Sequence, residues 1–533
     1  MVRLFVDEWA SKLGSRQLAN RDTQSASAFH DATKLSYINL LTKPSLYKSY
    51  PGATQISLAE TQPPEMPALD AILNSATPSA APLDVAAISQ LLHYTAGLIK
   101  KRDLPVAGEV HYRAAASAGA LYPIELYLVC GEIDGLNHGV YHYCPADNAL
   151  IKLREGDFRG NLAAAAADES LASTPAIVVS TAVFWRTAWK YRTRGYRYCF
   201  WDNGTILSNL LASANSQGQP ARVLAGFVDA DVDKLLGVDS EQEASTCLVA
   251  LGQGFGAKSH VVKALEEIDK GDICFSEAVS YPESEILHAQ SCLSSADEVR
   301  DWRYHGHIQQ ARFSADAKSD ALGNAILDRG STRRFSREDI DMAQFTALLA
   351  ASSANMPADF ECGITEPYLI VNAVKGLDSG AYYFSRSTGE LELLDQGEFR
   401  NEAGHLCFEQ ALGADASAVI YFMADLDKIL DRYGNRGYRA AQLEAGVMGG
   451  NVYLAAHALG LGATGMTFFD DAVTAFFSPH AAEKSLMFLV ALGRTATPNR
   501  VRPFRSKYGV LKDSLARGAM GDRRPVPDWL YSN

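Results

Sequence analysis

Apolar positions along this chain form runs of two kinds, and both kinds come twice. Between Asp84 and Ala96, Ile88, Leu91 and Leu92 fall at the spacing of an amphipathic helix, and Phe345, Leu348 and Leu349 repeat that spacing between Asp341 and Ala351. Strand-like runs follow the first helix at Glu125-Leu126-Tyr127-Leu128-Val129 and at residues 176–180. They follow the second at Tyr368-Leu369-Ile370-Val371 and at residues 418–422. Gly139-Val140-Tyr141-His142-Tyr143 reads as a hairpin arm. A long helix is predicted over roughly residues 438–459, stopped by Gly460. Each set reads as an α+β unit.

The two sets are copies of one another. Gly135-Leu136-Asn137-His138-Gly139-Val140-Tyr141 recurs as Gly376-Leu377-Asp378-Ser379-Gly380-Ala381-Tyr382, and Ala250-Leu251-Gly252 as Ala491-Leu492-Gly493, both at an offset of 241. Tyr191-Arg192-Thr193-Arg194-Gly195-Tyr196-Arg197 recurs as Tyr433-Gly434-Asn435-Arg436-Gly437-Tyr438-Arg439 at 242. A period this long points to duplication of a whole domain rather than to a solenoid. The organisation expected is a leader over 1–64, a first copy over 65–254, a polar connection over 255–320, a second copy over 321–505 and a tail over 506–533.

Composition narrows the functional classes. The 533 residues are 47% hydrophobic and 21% charged, ordinary values for a globular chain with large cores. A net charge of -13 argues against nucleic acid or an anionic membrane as the main partner. No apolar run is long enough to span a membrane, and the start of the chain makes a poor signal peptide. The eight cysteines are scattered without a CxxC pair, as expected of buried thiols in a reducing cytoplasm, and no paired histidine spacing suggests a metal.

Ser117-Ala118-Gly119-Ala120-Leu121-Tyr122-Pro123-Ile124-Glu125, Lys190-Tyr191 with Arg194-Gly195-Tyr196-Arg197, Arg329-Gly330-Ser331-Thr332-Arg333, Leu443-Glu444-Ala445-Gly446, and Arg500-Val501-Arg502-Pro503 occur in this order. With these residues the chain resembles the nitroreductase superfamily of flavin enzymes over about 65–505, and most of all its SagB-type dehydrogenases, which oxidise azolines in modified peptides. The superfamily's members are normally homodimers with FMN at the subunit interface. The resemblance therefore implies two tandem nitroreductase-like domains, each a mixed or antiparallel sheet flanked by helices, packed as a pseudo-dimer within one chain.

Aligned on one another, the copies are degraded in complementary ways. Ser75 and Ser79 stand where the second copy has Arg329 and Arg333; Asp359 and Glu361 stand where the first has Ser117 and Gly119. Arginine forks suit a phosphate, and Arg329 and Arg333, four apart, are expected on one side of a first helical turn. By resemblance, Arg329, Ser331, Arg333, Gln410, Arg500 and Arg502 of the second copy bind FMN, with backbone at Gly465, Met466 and Thr467 near flavin N5. Ser117, Ala118 and Gly119 come from the first copy. One intact FMN site and one dead site are expected.

The resemblance also assigns chemistry to Lys190, as the base that takes a proton from an azoline-like ring carbon, and to Tyr191 as its proton donor or orienter, with hydride passing to the flavin. Arg432 occupies the position of Lys190 in the second copy and cannot deprotonate. The expected partners are a small-molecule or modified-peptide substrate, NAD(P)H or oxygen as redox partner, and a modifying complex. An NAD(P)H-driven nitroreductase or quinone reductase, and a non-catalytic flavin-binding subunit, remain as alternatives.

Overall fold

In the computed structural model the described residues are 42–74, 82–104, 108–253, 258–259, 261–269, 271–272, 278–306, 313, 316–496 and 502–503. The first half builds β1 (Gln55–Ser57), β2 (Leu98–Leu104), β3 (Gly108–Arg113), β4 (Ile124–Cys130), β5 (Gly139–Cys144), β6 (Ala149–Glu155), β7 (Ala176–Val183), β8 (Ala221–Leu224) and β9 (Glu243–Leu251). The second builds β10 (Thr365–Val371), β11 (Gly380–Phe384), β12 (Leu391–Gln396), β13 (Ala418–Ala424), β14 (Gly462–Gly465) and β15 (Ser485–Gly493); β16 (Arg502–Pro503) follows.

The sheet orders show the duplication directly. The first sheet runs β1-β6-β5-β4-β7-β9-β8 and the second β12-β11-β10-β13-β15-β14, antiparallel throughout. Apart from β1, the orders superimpose strand for strand. Even the irregularities repeat: register breaks between Val140 and Tyr141 and between Ser180 and Thr181 return between Ala381 and Tyr382 and between Phe422 and Met423. A bulge sets local twist, so its repetition preserves the curvature against which the helices pack.

The amphipathic helices form as their spacing predicts, Val85–Ala96 and Met342–Ser352, each shifted by one residue because the aspartate read as its first residue is its cap. The Ala87 N–H donates to Asp84 Oδ1 at 2.7 Å, and Asp341 forms a capping box with Gln344. The predicted long helix spans Leu426–Ala458, starting earlier than its apolar period because a non-helical Gly434 joins two helical stretches. Its counterpart is Gly195–Ser216.

These two inner helices, buried along most of Gly195–Ser216 and from Arg439 onward in Leu426–Ala458, pack against each other between the sheets. They cross on glycine. A Cβ on Gly204 would lie 2.4 Å from the Gly446 carbonyl carbon, and one on Gly450 2.6 Å from the Ser208 Cβ. Trp201 Nε1 donates to Gln442 Oε1 at 2.5 Å, and Ser208 Oγ to Asn451 Oδ1 at 2.7 Å. A single apolar cluster runs from Leu91 through Trp201 to Val447 and Leu492, so the halves share one core. An arm also crosses over: β16 pairs with β2, in a three-stranded sheet with β3.

The part of the expected leader that is described belongs to the first sheet rather than preceding it. β1 covers the β6 edge, and Lys48 reaches beneath the sheet to Glu243 at 2.6 Å and Tyr127 at 2.9 Å, both ions of the pair being almost fully buried.

Substituting Gly446→Val places a branched side chain between two backbones that cannot separate without opening the core. We expect a lower thermal denaturation midpoint and weakened packing of the halves, whereas Gly376→Ala, with nothing within 4 Å, meets only the strain of its left-handed backbone (φ 83°) and lowers the midpoint less.

Candidate active site

At the seam of the halves lies a cavity of ≈ 300 Å³. From the first half come Ser117, Ala118, Gly119, Lys190 and Tyr191; from the second come Ser331, Arg333, Gln410, Gly465, Met466 and Thr467. Tyr198, Trp201, Asp202, Tyr453 and Phe488 are also in the lining.

The first wall is a turn held by one carboxylate. Ser117 Oγ donates to Asp202 Oδ2 at 2.5 Å, and the Ala118 N–H to Asp202 Oδ1 at 3.0 Å. Ser117 Oγ also accepts the Tyr122 N–H at 2.8 Å. Gly119 has φ of 62°, and a Cβ there would lie 2.8 Å from the Tyr191 hydroxyl and 3.3 Å from Lys190 Nζ. Only glycine fits both the backbone and the space, and the turn therefore lies against the Lys190–Tyr191 pair. That pair ends the helix Phe184–Tyr191. The Tyr191 ring packs edge-on to Tyr198 at 4.4 Å, and burial pushes its hydroxyl up, with Tyr198 and Asp202 adding to the shift. Segment 42–46 runs along the same helix, Trp189 donating to Thr42 at 3.2 Å and Arg186 to the Ser45 carbonyl at 2.9 Å. Burial, and then the charge of Lys190, hold the Lys43 amine below its ordinary value.

The second wall is extended backbone. Ser331 bridges Ala463, the Thr332 N–H donates to the Ala463 carbonyl at 3.0 Å, and the Gly465 N–H to the Tyr453 hydroxyl at 2.6 Å. The Thr467 and Tyr198 hydroxyls meet at 2.7 Å, joining the walls. Arg333 is exposed on this wall, and among the described residues no carboxylate pairs with it.

The Arg329–Arg333 segment departs from its predicted form. The helix Leu322–Asp328 ends before it, and the pairing with Ala463 keeps it extended, so the two arginines do not share a helical face. Arg333 joins the cavity. Arg329 turns into the protein, its guanidinium donating to the Ala114 carbonyl at 2.9 Å, and does not line the cavity. Arg502 pairs through its backbone with Lys101; its side chain, with Arg500, Ser75 and Ser79, lies outside the described residues.

Asp202, which the sequence reading missed, is the central polar group of the first wall. It had a signal: at the offset of 242 it faces Glu444, so both inner helices carry an acid at one position. Tyr198, Trp201 and Tyr453 gave none, since an aromatic residue on a buried helix is ordinarily core.

At the equivalent place in the other crevice the chain closes on itself. Asp359, opposite Ser117, accepts the N–H groups of Ala225 at 2.7 Å and Gly226 at 3.0 Å. Phe360, opposite Ala118, is completely buried. The Glu361 N–H donates to the Tyr433 hydroxyl at 3.0 Å, and Trp302 Nε1 to the Tyr433 carbonyl at 3.1 Å. Trp302 comes from the stretch expected to be a polar connection and is itself buried.

Burial pushes the Asp202 carboxyl up to about 7, against the pull of its bonds to Ser117 and Ala118. The unfolded value is about 4, so the folded state holds the proton more tightly; this stabilisation is full below about pH 4 and is lost as pH rises through about 7. Asp202→Asn should flatten that part of the curve of melting temperature against pH. A curve parallel to wild type from pH 4 to 8 would show that Asp202 does not titrate there.

Among the described residues no cluster of His, Cys, Asp or Glu could hold a metal ion, and no helix is long and apolar enough to cross a membrane. A solved structure of a candidate nitroreductase from Anabaena variabilis matches with a TM-score of 0.70 at 26% identity, covering 88% of this chain and 99% of its own. A candidate nitroreductase of Methanocaldococcus jannaschii is 27% identical over 156 residues, 29% of this chain and 75% of its own. The microcin B17-processing protein McbC of Escherichia coli is 30% identical over 154 residues, 28% of this chain and 56% of its own. The trifolitoxin-processing protein TfxB of Rhizobium leguminosarum is 30% identical over 168 residues, 30% of this chain and 44% of its own. The model of the nitroreductase family matches residues 60–253 and again 326–494. With each half matched in turn and the same sheet built twice, the chain belongs to the nitroreductase family, as a tandem member.

Proposed function

We propose that the protein is an FMN-dependent oxidoreductase with one working site, a SagB-like dehydrogenase acting on an azoline-like ring of a modified peptide. The observation that carries this reading is the cavity at the seam, where Ser117–Gly119 and Lys190–Tyr191 of one half face Ser331, Arg333 and Gly465–Thr467 of the other.

The donor set suits the nucleotide. Arg333 has no carboxylate partner among the described residues, and with Ser331 offers a cation and a hydroxyl to a phosphate. Asp202 is the cavity's carboxylate, and the rise of its pKa reduces its repulsion of an anion. The opposite crevice does not suit it: Asp359 takes up the backbone N–H groups of Ala225 and Gly226, and Phe360 and Trp302 are buried beside them. FMN, when bound, supplies the two-electron acceptor.

The chain supplies the rest. The glycine turn and the aromatic side chains shape the slot. Lys190 Nζ lies beside the Tyr191 ring, 5.2 Å from its centre, and takes the proton from the substrate carbon. The Tyr191 hydroxyl, held protonated by its burial, orients the ring or returns a proton. The names of the two peptide-processing relatives favour a peptide as the substrate.

Purified protein should carry about one FMN per chain by its visible absorbance. Arg333→Ala should lower flavin occupancy. Lys190→Ala should keep the flavin and lose about a hundredfold or more in turnover, the usual effect of removing a general base. Full turnover in Lys190→Ala removes the base assignment, and a protein that holds no FMN removes the whole reading.

A further inference from the structure

The two crevices differ in what lies over their outer rims. In each half a pair of arginines at the start of the inner helix clamps an aspartate that begins a short helix. Arg194 and Arg197 bind Asp470 at 2.8 and 2.6 Å; Arg436 and Arg439 bind Asp229 at 2.6 and 2.8 Å. Arg194 stacks 4.8 Å from the centre of Phe468, as Arg436 does 4.6 Å from Phe227. The clamps are copies, with the arginines matching at an offset of 242 and their partners at 241.

Over the second clamp lies the connection between the halves. Arg436 NH1 donates to the Ser291 carbonyl at 3.0 Å, and Arg439 donates to Ser291 Oγ at 2.7 Å and to the His288 carbonyl at 2.7 Å. Leu293 pairs with Val228 in a parallel bridge, its N–H donating to Asp229 Oδ2 at 2.9 Å and its carbonyl accepting the Asp229 N–H at 3.3 Å. Arg303 then donates to the carbonyls of Ala166 and Ala167, and Trp302 turns in to Tyr433. Under this cover the clamp side chains are only 2 to 5% exposed.

The first clamp has no such cover among the described residues. Asp470 is 36% and Arg194 30% exposed; within the clamp Arg194 Nε, Arg194 NH2 and Arg197 Nε are buried and make no hydrogen bond. Arg197 NH2 turns instead to the Leu486 carbonyl, at 2.8 Å. Phe408, which matches Ala167 at the offset of 241 and shares its left-handed backbone, stands 52% exposed where Ala167 receives Arg303.

We propose that this open rim docks an extended peptide along the path that the connection takes over the sealed crevice. Carbonyl oxygens face Arg194 and Arg197, the main chain pairs at Phe469–Asp470, an apolar side chain rests on Phe408, and a planar ring turns in beside Tyr191. The covered crevice thus holds a built-in copy of an enzyme–peptide contact. The mode is main-chain recognition with one ring as anchor, so the sequence of the peptide matters less than its extended form and the placing of that ring. This rests on the reading of the cavity as a reaction site and adds the form of its substrate.

The test uses the full chain and a fluorescein-labelled synthetic peptide of residues 288–304, with Cys292 replaced by Ser. Its anisotropy should rise saturably. Binding should weaken about tenfold for the peptide carrying W302A, and about tenfold for the protein variant F408D, the effect of losing one aromatic anchor. Equal binding of a scrambled peptide, or no effect of F408D in a protein that melts like wild type, overturns the proposal. Flavin absorbance of the same sample separates the two readings. A protein that holds FMN but binds no peptide refutes the docking surface alone, and one that binds peptide without FMN refutes the redox reading alone.

Discussion

The close approach of two inner helices at Gly204, Gly446 and Gly450 is the constraint on which the rest of the molecule depends. Where a Cβ would come within 2.4 Å of the opposite backbone, the helices can only be in contact main chain to main chain. Each helix packs on the sheet of its own half, and their crossing joins the two into one large apolar cluster with residues of both halves. Both crevices lie at this seam. Their walls come from different halves and are fixed relative to one another by the same crossing that sets the fold, with Trp201–Gln442 and Tyr198–Thr467 as polar ties across it.

Duplication gave the chain two chances at the same site, and the turn at residues 117–119 decides which is open. Its counterpart at 359–361 differs at each position. Asp359 puts its own carboxylate on the backbone N–H groups that a ligand would need. Phe360 fills the space that Ala118 leaves. Glu361 carries a Cβ where Gly119 has none, and Tyr433 consequently bonds the backbone there instead of standing over a cavity. Each change is small, and together they fill the place of the first copy's open turn, while a cavity of ≈ 310 Å³ lined by Leu211, Asn355, Pro357 and Val447 remains farther along the seam.

The repeat and its main helices and strands were legible in the sequence because they depend on local spacing and on a constant offset. Ser117–Gly119, Lys190, Tyr191, Ser331, Arg333 and Gly465–Thr467, which only the resemblance to the family grouped, lie around one cavity at the seam. Arg329 was misread because its direction depends on the bridge from Ser331 to Ala463, a contact between residues 132 apart that no local pattern records. The contacts of the connection were not legible for a related reason: its polar composition describes residues that bind Arg436, Arg439 and Asp229 inside the fold as well as residues that face water. Phe408 was overlooked because a single exposed aromatic has meaning only against a counterpart, here Ala167 beneath Arg303.

The paired acids of the inner helices show how the halves divided their labour. Glu444 is fully committed: it accepts the N–H groups of Gly363 and Thr365 and pairs with Arg386 at 3.0 Å. Asp202, at the same place in the other helix, has only the Ser117 hydroxyl and the Ala118 N–H, and no cation. A buried carboxyl held by two hydrogen bonds and no counter-ion can take up or release a proton near neutral pH. The half that keeps an open cavity is therefore also the half that keeps a group able to change charge beside it, and the turn held by that group lies directly under Lys190 and Tyr191. Proton balance and cavity shape are thereby coupled through one residue in the first half, while the second half carries the same acid as a rigid brace.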